Sequence, residues 1–308
     1  MSIPTQEHNS QAIEQRLQAM VREKPELEEL ITAFGHIQLA IGGCRPALPR
    51  PDVSALSLDT GLLRKGIPLL EQATAYSLDF HLEKTAPILL PVLAETFPLL
   101  AKKLEDVEKG LRDPATLHLL NGLLAQGDEE LLQRTAAQFA MDTALLAYVL
   151  ECLGRPALEN LAVALAPLFA DVPWNFWNKG RCPICGGKPS MSLLRPGEQE
   201  PTEFLKNTSA QRWLCCSACA HTWRFSRTCC PECGEEKQND REYFYVEDKN
   251  LERVELCPNC NHYLLTMDIR ERISPLDHRL APLGLAHLDI LARQQGYAPL
   301  VQRPWNLA

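Results

Sequence analysis

Four Cys-x-x-Cys pairs lie close together in the second half of the chain, and their thiols are the side chains with the clearest chemistry. They are Cys182/Cys185, Cys216/Cys219, Cys230/Cys233 and Cys257/Cys260. Each pair offers two sulfurs from one tight turn, and two pairs set roughly 20 to 30 residues apart supply the ligands of a tetrahedral tetrathiolate metal site. Four pairs therefore predict two metal sites.

Two pairings of these turns fit the spacing. Sequential pairing joins the first two turns across 30 intervening residues and the last two across 23, and each loop has room for a β-hairpin. The alternative joins the middle two turns across ten residues and leaves the outer turns to meet across the whole region. We prefer the sequential pairing.

The residue after each turn affects how tightly the turn can close. Gly186 and Gly234 follow the second cysteine of their pairs, and glycine accepts the positive φ that such a turn favours. Ala220 and Asn261 stand at the same place in the other two turns, and of these only asparagine readily tolerates a left-handed backbone. We therefore expect those two turns to be looser.

Other cysteines and histidines stand beside the turns. Cys215 and Cys229 each precede a pair, and we expect both to remain outside the coordination shell as buried thiols, the alternative being reactive thiols beside a metal. His221 and His262 each follow a turn by two residues. Because four sulfurs are already available at each site, we expect these histidines to support ligands or lie at the surface.

Free buried thiols and redox-active pairs are the competing interpretations of the cysteines. Burial alone does not generate four identical spacings, and a thioredoxin-like pair needs a βαβ setting that this sequence lacks. A unit of roughly 45 residues also buries too little apolar surface to be comfortably stable alone. A structural zinc site can contribute on the order of 10 to 16 kcal/mol to folding, so we expect metal to supply the difference.

Composition limits the class of protein. The chain has 308 residues, 45% of them hydrophobic, and a formal net charge of -8, which suit about two globular domains and oppose general affinity for nucleic acid. The polar amino terminus argues against a secretory signal, and the most apolar stretch, at 86–100, is too short to span a bilayer. We expect a reducing, cytoplasmic location and no membrane insertion.

The charge is unevenly distributed around the cysteines. Lys179 to Thr228 holds eight Lys or Arg against three Asp or Glu, whereas Cys229 to Arg270 holds five against ten. One interpretation is chance variation of the surface. The other is that the two metal modules present opposite charges to each other or to a partner.

The first half of the chain has the apolar periodicity of successive helices. Two amphipathic helices are predicted near the amino terminus, one at each side of Pro25. Further helices are predicted at 59–84, 87–107, 114–126, 128–139, 141–153 and 156–169. An α-helical bundle over residues 1–170 is the economical interpretation.

The pattern changes at 171–180, where two tryptophans and a phenylalanine are expected to pack a domain junction. Short strands are predicted beyond it, at Gln211 to Cys215, His221 to Arg227, Arg241 to Glu247, Arg253 to Leu256 and Tyr263 to Met267. A helix is predicted at 276–295, interrupted near Pro282. The predicted architecture is an α+β multidomain protein with a helical domain at 1–170, rubredoxin-like or zinc-ribbon-like modules at 171–228 and 229–270, and a carboxyl-terminal helix and tail at 271–308.

The chain resembles the formate dehydrogenase accessory protein family known as FdhE. The resemblance lies in a helical first half followed by RCPICG, WLCCSACAHTW, CCPECG, ELCPNCNHY and a final helix ending LDILARQQGY. It implies a cytoplasmic protein, not itself an enzyme, that binds catalytic subunits of respiratory formate dehydrogenases and supports their maturation. It also implies two rubredoxin-like modules with the eight cysteines of the four pairs as ligands, and it suggests iron, whereas the spacing fits zinc equally well.

Three hypotheses follow for the function. The first is a maturation chaperone in which the metals are scaffolds. The second is a redox or oxygen-sensing protein, which requires iron because zinc does not change oxidation state. The third is a nucleic-acid-binding zinc ribbon that uses the basic segment with Trp213, Trp223 and Phe225, against which the overall acidity argues. A metalloenzyme is disfavoured because four sulfurs close the coordination sphere.

Overall fold

The computed structural model describes residues 10–54, 56–73, 79–197, 210–236, 242–245, 251–272 and 276–307. The chain divides into two compact units. Among the described residues, the helical unit comprises those within 10–53 and 79–164, and the cysteine unit comprises those within 54–73 and 165–307. Residues 54–74 thus belong with the cysteines although they lie within the first half of the sequence. The finer sequence-based division at 171, 229 and 271 stays a prediction.

The described helices are α1 (Ser10–Glu23), α2 (Glu28–Cys44), α3 (Thr60–Arg64), α4 (Leu69–Gln72), α5 (Leu82–Thr96), α6 (Ala101–Gly110), α7 (Pro114–Gln126), α8 (Glu129–Gln138), α9 (Thr143–Leu165), α10 (Ala281–Gly284), α11 (Ala286–Gln294) and α12 (Pro304–Leu307). Short 3-10 helices lie at Pro25–Leu27, Arg45–Ala47, Pro98–Leu100, Ala166–Phe169 and Trp174–Phe176.

The helical unit is a bundle whose helices bury one apolar face each. Ile31 and Ile37 of α2, Leu89 of α5, Leu120 of α7 and Leu146 of α9 are completely buried. Burial of side chains of this size contributes roughly 1.5 to 3 kcal/mol each, so this shared core, more than helix propensity, stabilises the bundle.

Three sequence-based helix boundaries were wrong in this part of the chain. The helix predicted at 59–84 is replaced by α3, α4 and the start of α5, with residues 74–78 outside the described part. The helix predicted at 87–107 is two helices, because Pro98 begins a 3-10 turn between α5 and α6. The helices predicted at 141–153 and 156–169 are the single helix α9, which continues through Pro156. Its flanking residues Leu153 and Leu161 are buried in the core, and that packing outweighs the lost hydrogen bond.

The helical unit also contains a buried ion pair. The Arg155 Nε atom donates to Glu159 Oε1 at 2.8 Å, and Arg45 Nη1 lies 3.2 Å from Glu159 Oε2. The Glu159 side chain is only 2% exposed, and a buried carboxylate requires such partners. These contacts tie α9 to the 3-10 turn after α2.

The strands of the cysteine unit are β1 (Pro189–Arg195), β2 (Gln211–Cys216), β3 (Thr222–Phe225), β4 (Glu242–Tyr245), β5 (Glu252–Cys257), β6 (His262–Asp268) and β7 (Ala298–Pro299). They form one sheet in the order β3-β2-β1-β6-β5-β4, with β7 beside β6. The five predicted strands are present; Arg241 and residues 246–247 of the third lie outside the described residues. The sequence interpretation missed β1.

Strand β1 holds the sheet together. It pairs antiparallel with β2 and parallel with β6, from Met191 opposite Leu265 to Leu194 opposite Asp268. Within this junction the buried hydroxyl groups of Ser192 and Thr266 lie 2.7 Å apart and share a hydrogen bond. The strands of the two cysteine modules are therefore parts of one continuous sheet.

The carboxyl-terminal helices cover one face of this sheet. Leu285 and Leu288 pack with Met191, Leu193 and Leu256 in a single buried cluster. The helix predicted at 276–295 is broken at Leu285 into α10 and α11, and Pro282 lies inside the first of them.

Among the described residues, no single helix has both the length and the apolarity needed to cross a bilayer. The segments Glu129–Gln138 and Thr143–Phe169 meet those criteria only when taken together, and they are bent by 97° at the break between them.

Candidate metal centres

The structure gathers the eight paired cysteines into two groups of four. The first group is Cys182, Cys185, Cys216 and Cys219, and the second is Cys230, Cys233, Cys257 and Cys260. Within each group all four sulfurs lie within 4.8 Å of one another. This is the sequential pairing. The first group combines the turn before β1 with the turn between β2 and β3, and the second combines the turn before β4 with the turn between β5 and β6.

The distances between sulfurs fit a central metal ion. Cys182 Sγ lies 3.6 Å from Cys219 Sγ, and Cys185 Sγ lies 3.5 Å from Cys216 Sγ. In the second group the corresponding distances are 3.8 Å from Cys230 to Cys260 and 3.7 Å from Cys233 to Cys257. Ligands about 2.3 Å from a tetrahedral ion stand roughly 3.8 Å apart, whereas disulfide sulfurs are about 2.05 Å apart. Both groups could therefore bind a metal ion.

The four turns share one backbone conformation. In the first, the Gly186 N–H donates to Cys182 O at 2.9 Å, and in the last, the Asn261 N–H donates to Cys257 O at 2.8 Å. The residue after each second cysteine has a positive φ: 77° at Gly186, 57° at Ala220, 74° at Gly234 and 55° at Asn261. Ala220 and Asn261 therefore adopt the same left-handed conformation as the two glycines, and the expectation that their turns are looser stays a prediction.

Two glycines are needed because other atoms approach closely. A Cβ atom on Gly187 would lie 3.1 Å from Cys216 Sγ and 3.4 Å from Cys185 Sγ. A Cβ atom on Gly180 would lie 1.7 Å from Pro231 O, well below any contact distance. The backbone before the first turn of one group thus lies directly against the first turn of the other.

Burial opposes the ionisation of most thiols in the two groups unless a cation is bound. Burial raises the pKa of Cys182 and Cys219 well above the usual value. Burial acts in the same direction at Cys216, but hydrogen bonds from the neighbouring cysteine thiols outweigh it and lower that pKa well below the usual value. In the second group, burial raises the pKa of Cys230 to about 11. Four thiolates in one such group require a positive ion to balance their mutual repulsion.

Cys215 and Cys229 are buried but lie outside the two groups. The side chains of Cys215 and Cys216 point to opposite faces of β2 because they alternate along the strand. Cys215 packs in the apolar cluster beneath α11, and burial raises its pKa to about 12. Cys229 Sγ donates to Glu236 Oε1 at 3.3 Å. These environments fit buried thiols better than reactive ones.

The two histidines beside the turns contact other groups. His262 Nδ1 lies 2.7 Å from Cys260 O. The His221 ring packs on Phe169 with ring centroids 5.9 Å apart, and burial lowers its pKa to about 4. Neither belongs to a group of four sulfurs.

Ion pairs join the module of the first group to that of the second. Lys188 Nζ, directly before β1, lies 2.8 Å from Glu232 Oε1. Arg212 of β2 is only 2% exposed, pairs with Glu255 of β5, and donates from Nη1 to Cys229 O at 3.0 Å. In each of these two pairs the cation comes from the basic segment and the carboxylate from the acidic one.

Residues 54–74 form a cover over the first turn, which the sequence interpretation did not foresee. The Leu69 N–H donates to Pro183 O at 2.8 Å, and the Leu70 N–H donates to Ile184 O at 3.0 Å. Arg181 Nη2 donates to Gly66 O at 2.8 Å. The close packing at Gly187 could have been suspected from the sequence, because Gly187 is the second of two consecutive glycines after the first turn. The contacts of residues 66–70 with the first turn could not, because no local pattern predicts contacts between segments more than 100 residues apart.

The chain is similar in sequence to several curated proteins. The chain is 30% identical over 121 residues to a Protein FdhE homolog of Aquifex aeolicus, covering 39% of this chain and 40% of that protein. It is 32% identical over 156 residues to the homolog of Stutzerimonas stutzeri, covering 45% and 48%. It is 26% identical over 226 residues to that of Edwardsiella ictaluri, covering 70% and 67%. The matches to the first two thus span less than half of each relative. No family model matches.

A solved structure has the same fold. The crystal structure of the FdhE protein from Pseudomonas aeruginosa aligns with a TM-score of 0.62, covering 98% of this chain and 96% of that one at 20% sequence identity. At this identity the likeness establishes the fold, which is an N-terminal set of helices with a mixed helix and sheet region that carries the two tetracysteine groups.

Proposed function

Because the chain is similar over part of its length to FdhE homologues and shares the fold of a solved FdhE protein, we propose that it belongs to the FdhE family and is a cytoplasmic accessory protein of respiratory formate dehydrogenase. In this proposal it binds the catalytic subunit and supports its maturation, and it does not itself catalyse a reaction. The supporting observation is the pair of closed four-sulfur groups on one sheet. A tetrathiolate site has no open position for substrate, so its chemistry suits a scaffold.

The metals would act by fixing the shape of the docking surface. All eight cysteines of the two groups would be ligands, and a bound ion would hold two distant turns of each module together. The ion pairs Arg212–Glu255 and Lys188–Glu232 then join the modules across the sheet. Backbone contacts such as the hydrogen bond from Ser217 N–H to Lys188 O, at 3.0 Å, also link the turns. We nevertheless expect partner binding to depend on metal because the ion would hold four thiolates together against their mutual repulsion.

Co-purification tests the proposal. The tagged full-length chain is mixed with the catalytic subunit at low salt without oxygen, and we expect the subunit to be retained. Failure of the wild type to retain it would contradict the proposal.

The cysteine doublet at 229 and 230 provides a matched control for the role of metal. Cys230→Ser should lose one equivalent of metal and most of the retained subunit. Cys229→Ser should keep both, because its serine hydroxyl can still donate to Glu236 and because Cys229 lies outside the sulfur group. Full metal content in Cys230→Ser would show that the ligand assignment is wrong.

A redox or oxygen-sensing role is the second candidate, and the exposure of Cys233 in the second group favours it. Iron held by four thiolates supports one-electron chemistry, whereas zinc does not. Elemental analysis and a visible spectrum of anaerobically prepared protein separate the two. Stoichiometric iron with a reducible chromophore supports this role, and stoichiometric zinc without a chromophore excludes it.

A further inference from the structure

The two sulfur groups differ in exposure to solvent. In the first group Cys182, Cys216 and Cys219 are at most 2% exposed, and Cys185 is partly buried. In the second group Cys230 and Cys257 are buried, but Cys260 is only partly buried and Cys233 is exposed. A competing ligand can therefore approach the second group at Cys233 without any opening of the fold.

The matching turns of the two groups differ in their cover. A Cβ atom on Gly186, after the first turn of the first group, would meet Pro68 Cγ at 3.3 Å and Glu71 Oε1 at 3.4 Å. A Cβ atom on Gly234, at the same place in the second group, would meet nothing within 4 Å. The segment that carries α3 and α4 therefore closes over the first group. Reaching that group requires local unfolding of the segment, which costs free energy.

The charged residues near the two groups also favour easier loss of the ion from the second group. A divalent ion with four thiolates carries a net charge of about -2, which nearby cations stabilise and nearby anions destabilise. Along the chain, the charged residues within three positions of a cysteine of the first group are Lys179, Arg181 and Lys188, of which Arg181 pairs with Glu71 and Lys188 with Glu232. Those within three positions of the second group are Glu232, Glu235, Glu236, Glu255 and Arg227, of which Glu232 pairs with Lys188 and Glu255 with Arg212. Beyond these pairs, one cation remains near the first group, whereas two carboxylates and one cation remain near the second.

We infer that the two groups have different roles: the Cys182 group holds its ion permanently as a structural site, and the Cys230 group is an exchange site that yields its ion to soft competing ligands. This inference rests on the metal binding in the proposed function and deepens it. Soft ligands here are small thiols and chelators, which replace thiolate at a divalent ion without a change of oxidation state.

Zinc release measures the difference. The reduced full-length chain is loaded with zinc, and an excess of 4-(2-pyridylazo)resorcinol is added while the coloured zinc complex is followed. We expect two phases of one equivalent each, the first at least about ten-fold faster than the second, because only the second phase requires local opening. Release of both equivalents at one rate would overturn the inference. A wild-type chain that binds neither zinc nor iron would instead contradict the proposed metal scaffold.

Two matched variants assign the phases. Cys185→Ser and Cys233→Ser change the same position, the second cysteine of the first turn, in the two groups. Cys233→Ser should retain one equivalent that leaves slowly, and Cys185→Ser should retain one that leaves fast. The reverse assignment would overturn the inference.

Chemical labelling of the wild type gives the same assignment without any variant. Iodoacetamide is added when the fast phase is complete, and the labelled peptides are identified by mass spectrometry. Label should be found on Cys230, Cys233, Cys257 and Cys260 and be absent from the four cysteines of the first group. Label on the first group at that time would overturn the inference, whatever the variants do.

Discussion

Ala220 closes the turn of Cys216 and Cys219 in a backbone conformation that alanine rarely adopts. Its φ of 57° is left-handed, which costs a non-glycine residue about 1 to 2 kcal/mol. The turn keeps this conformation because the chain must fold back to bring Cys216 and Cys219 to one ion. The His278 ring, whose Nε2 lies 2.8 Å from Ala220 O, adds a further contact there.

Ala220→Gly should therefore raise the free energy of unfolding by up to about 1 kcal/mol, because glycine adopts positive φ without strain. Denaturant titration of the metal-loaded protein measures it. Asn261→Gly is the matched control in the second group, and its gain should be smaller because asparagine already tolerates this region. A loss of stability in Ala220→Gly would contradict the assignment of strain.

Asp289 of α11 is a second residue whose environment sets a measurable property. It is 2% exposed, and Tyr263 donates its hydroxyl to Asp289 Oδ1 at 2.6 Å. Burial raises the pKa of this carboxyl group from 3.8 to about 6. The folded protein therefore binds this proton more tightly than the unfolded chain does.

The contribution of Asp289 to stability is consequently lost as pH rises from about 4 to about 6, and it stays low above that range. Asp289→Asn should remove this dependence and increase the free energy of unfolding at pH 7, because a neutral amide is less costly to bury. Denaturant titrations of both proteins between about pH 5 and pH 8, with metal content verified, test the loss of pH dependence and the increase at pH 7. A less stable variant at pH 7 would show that the carboxylate is needed there.

At the scale of elements, strands β2 and β5 are linked by the buried pair of Arg212 and Glu255. Each comes from a different module, and both are nearly inaccessible to solvent. Removing one partner of such a pair leaves an uncompensated charge, which typically costs about 3 to 5 kcal/mol, whereas replacing both with apolar residues can be neutral.

We accordingly expect Arg212→Met to destabilise the cysteine unit by about 3 kcal/mol and the double variant Arg212→Met, Glu255→Leu to recover most of that loss. Arg212 also donates to Cys229 O, so a small deficit should remain in the double variant. Denaturation followed by tryptophan fluorescence gives both values. Equal losses in the single and double variants would mean that the ion pair does not account for the effect.

At the scale of the whole molecule, the two units depend on different forces. The helical unit depends on its apolar core, whereas the cysteine unit has, besides the apolar cluster beneath α11, four turns that converge at its sulfur groups. All five tryptophans of the chain lie in the cysteine unit: Trp174, Trp177, Trp213, Trp223 and Trp305. Tryptophan emission therefore reports on one unit, while most helical circular dichroism reports on the other.

Removal of metal should separate these two signals. Chelation under reducing conditions takes away roughly 10 to 16 kcal/mol of binding energy per structural site, so the tryptophan emission should shift to the red as Trp177 and Trp223 become exposed. The circular dichroism at 222 nm should keep most of its amplitude. An unchanged emission spectrum in protein verified to be free of metal would contradict the role of the ions in holding the cysteine unit.

The spacing of the cysteines, the helical first half and most strand positions could be predicted from the sequence because each depends on neighbouring residues. Two cysteines three positions apart indicate a tight turn, and a strand shows an alternation of apolar and polar residues within a few positions. Their role as metal ligands remains a prediction, although the sulfurs lie at suitable distances. Two prolines show the limit of local sequence patterns. Helix α9 continues through Pro156, where its flanking residues are buried in the core, whereas Pro98 begins a separate 3-10 helix between α5 and α6.

The sequence by itself determined the set of eight thiols in four Cys-x-x-Cys turns. It favoured their sequential pairing and indicated a resemblance to the FdhE family. Only the tertiary structure decided that β1 and β6 fuse the modules into one sheet, that residues 54–74 cover the first sulfur group, and that Arg212 is buried against Glu255. The physical reason is distance along the chain. Contacts between segments 43 to 115 residues apart are selected by packing and charge in three dimensions. These contacts make the two sulfur groups unequal although their ligands are the same.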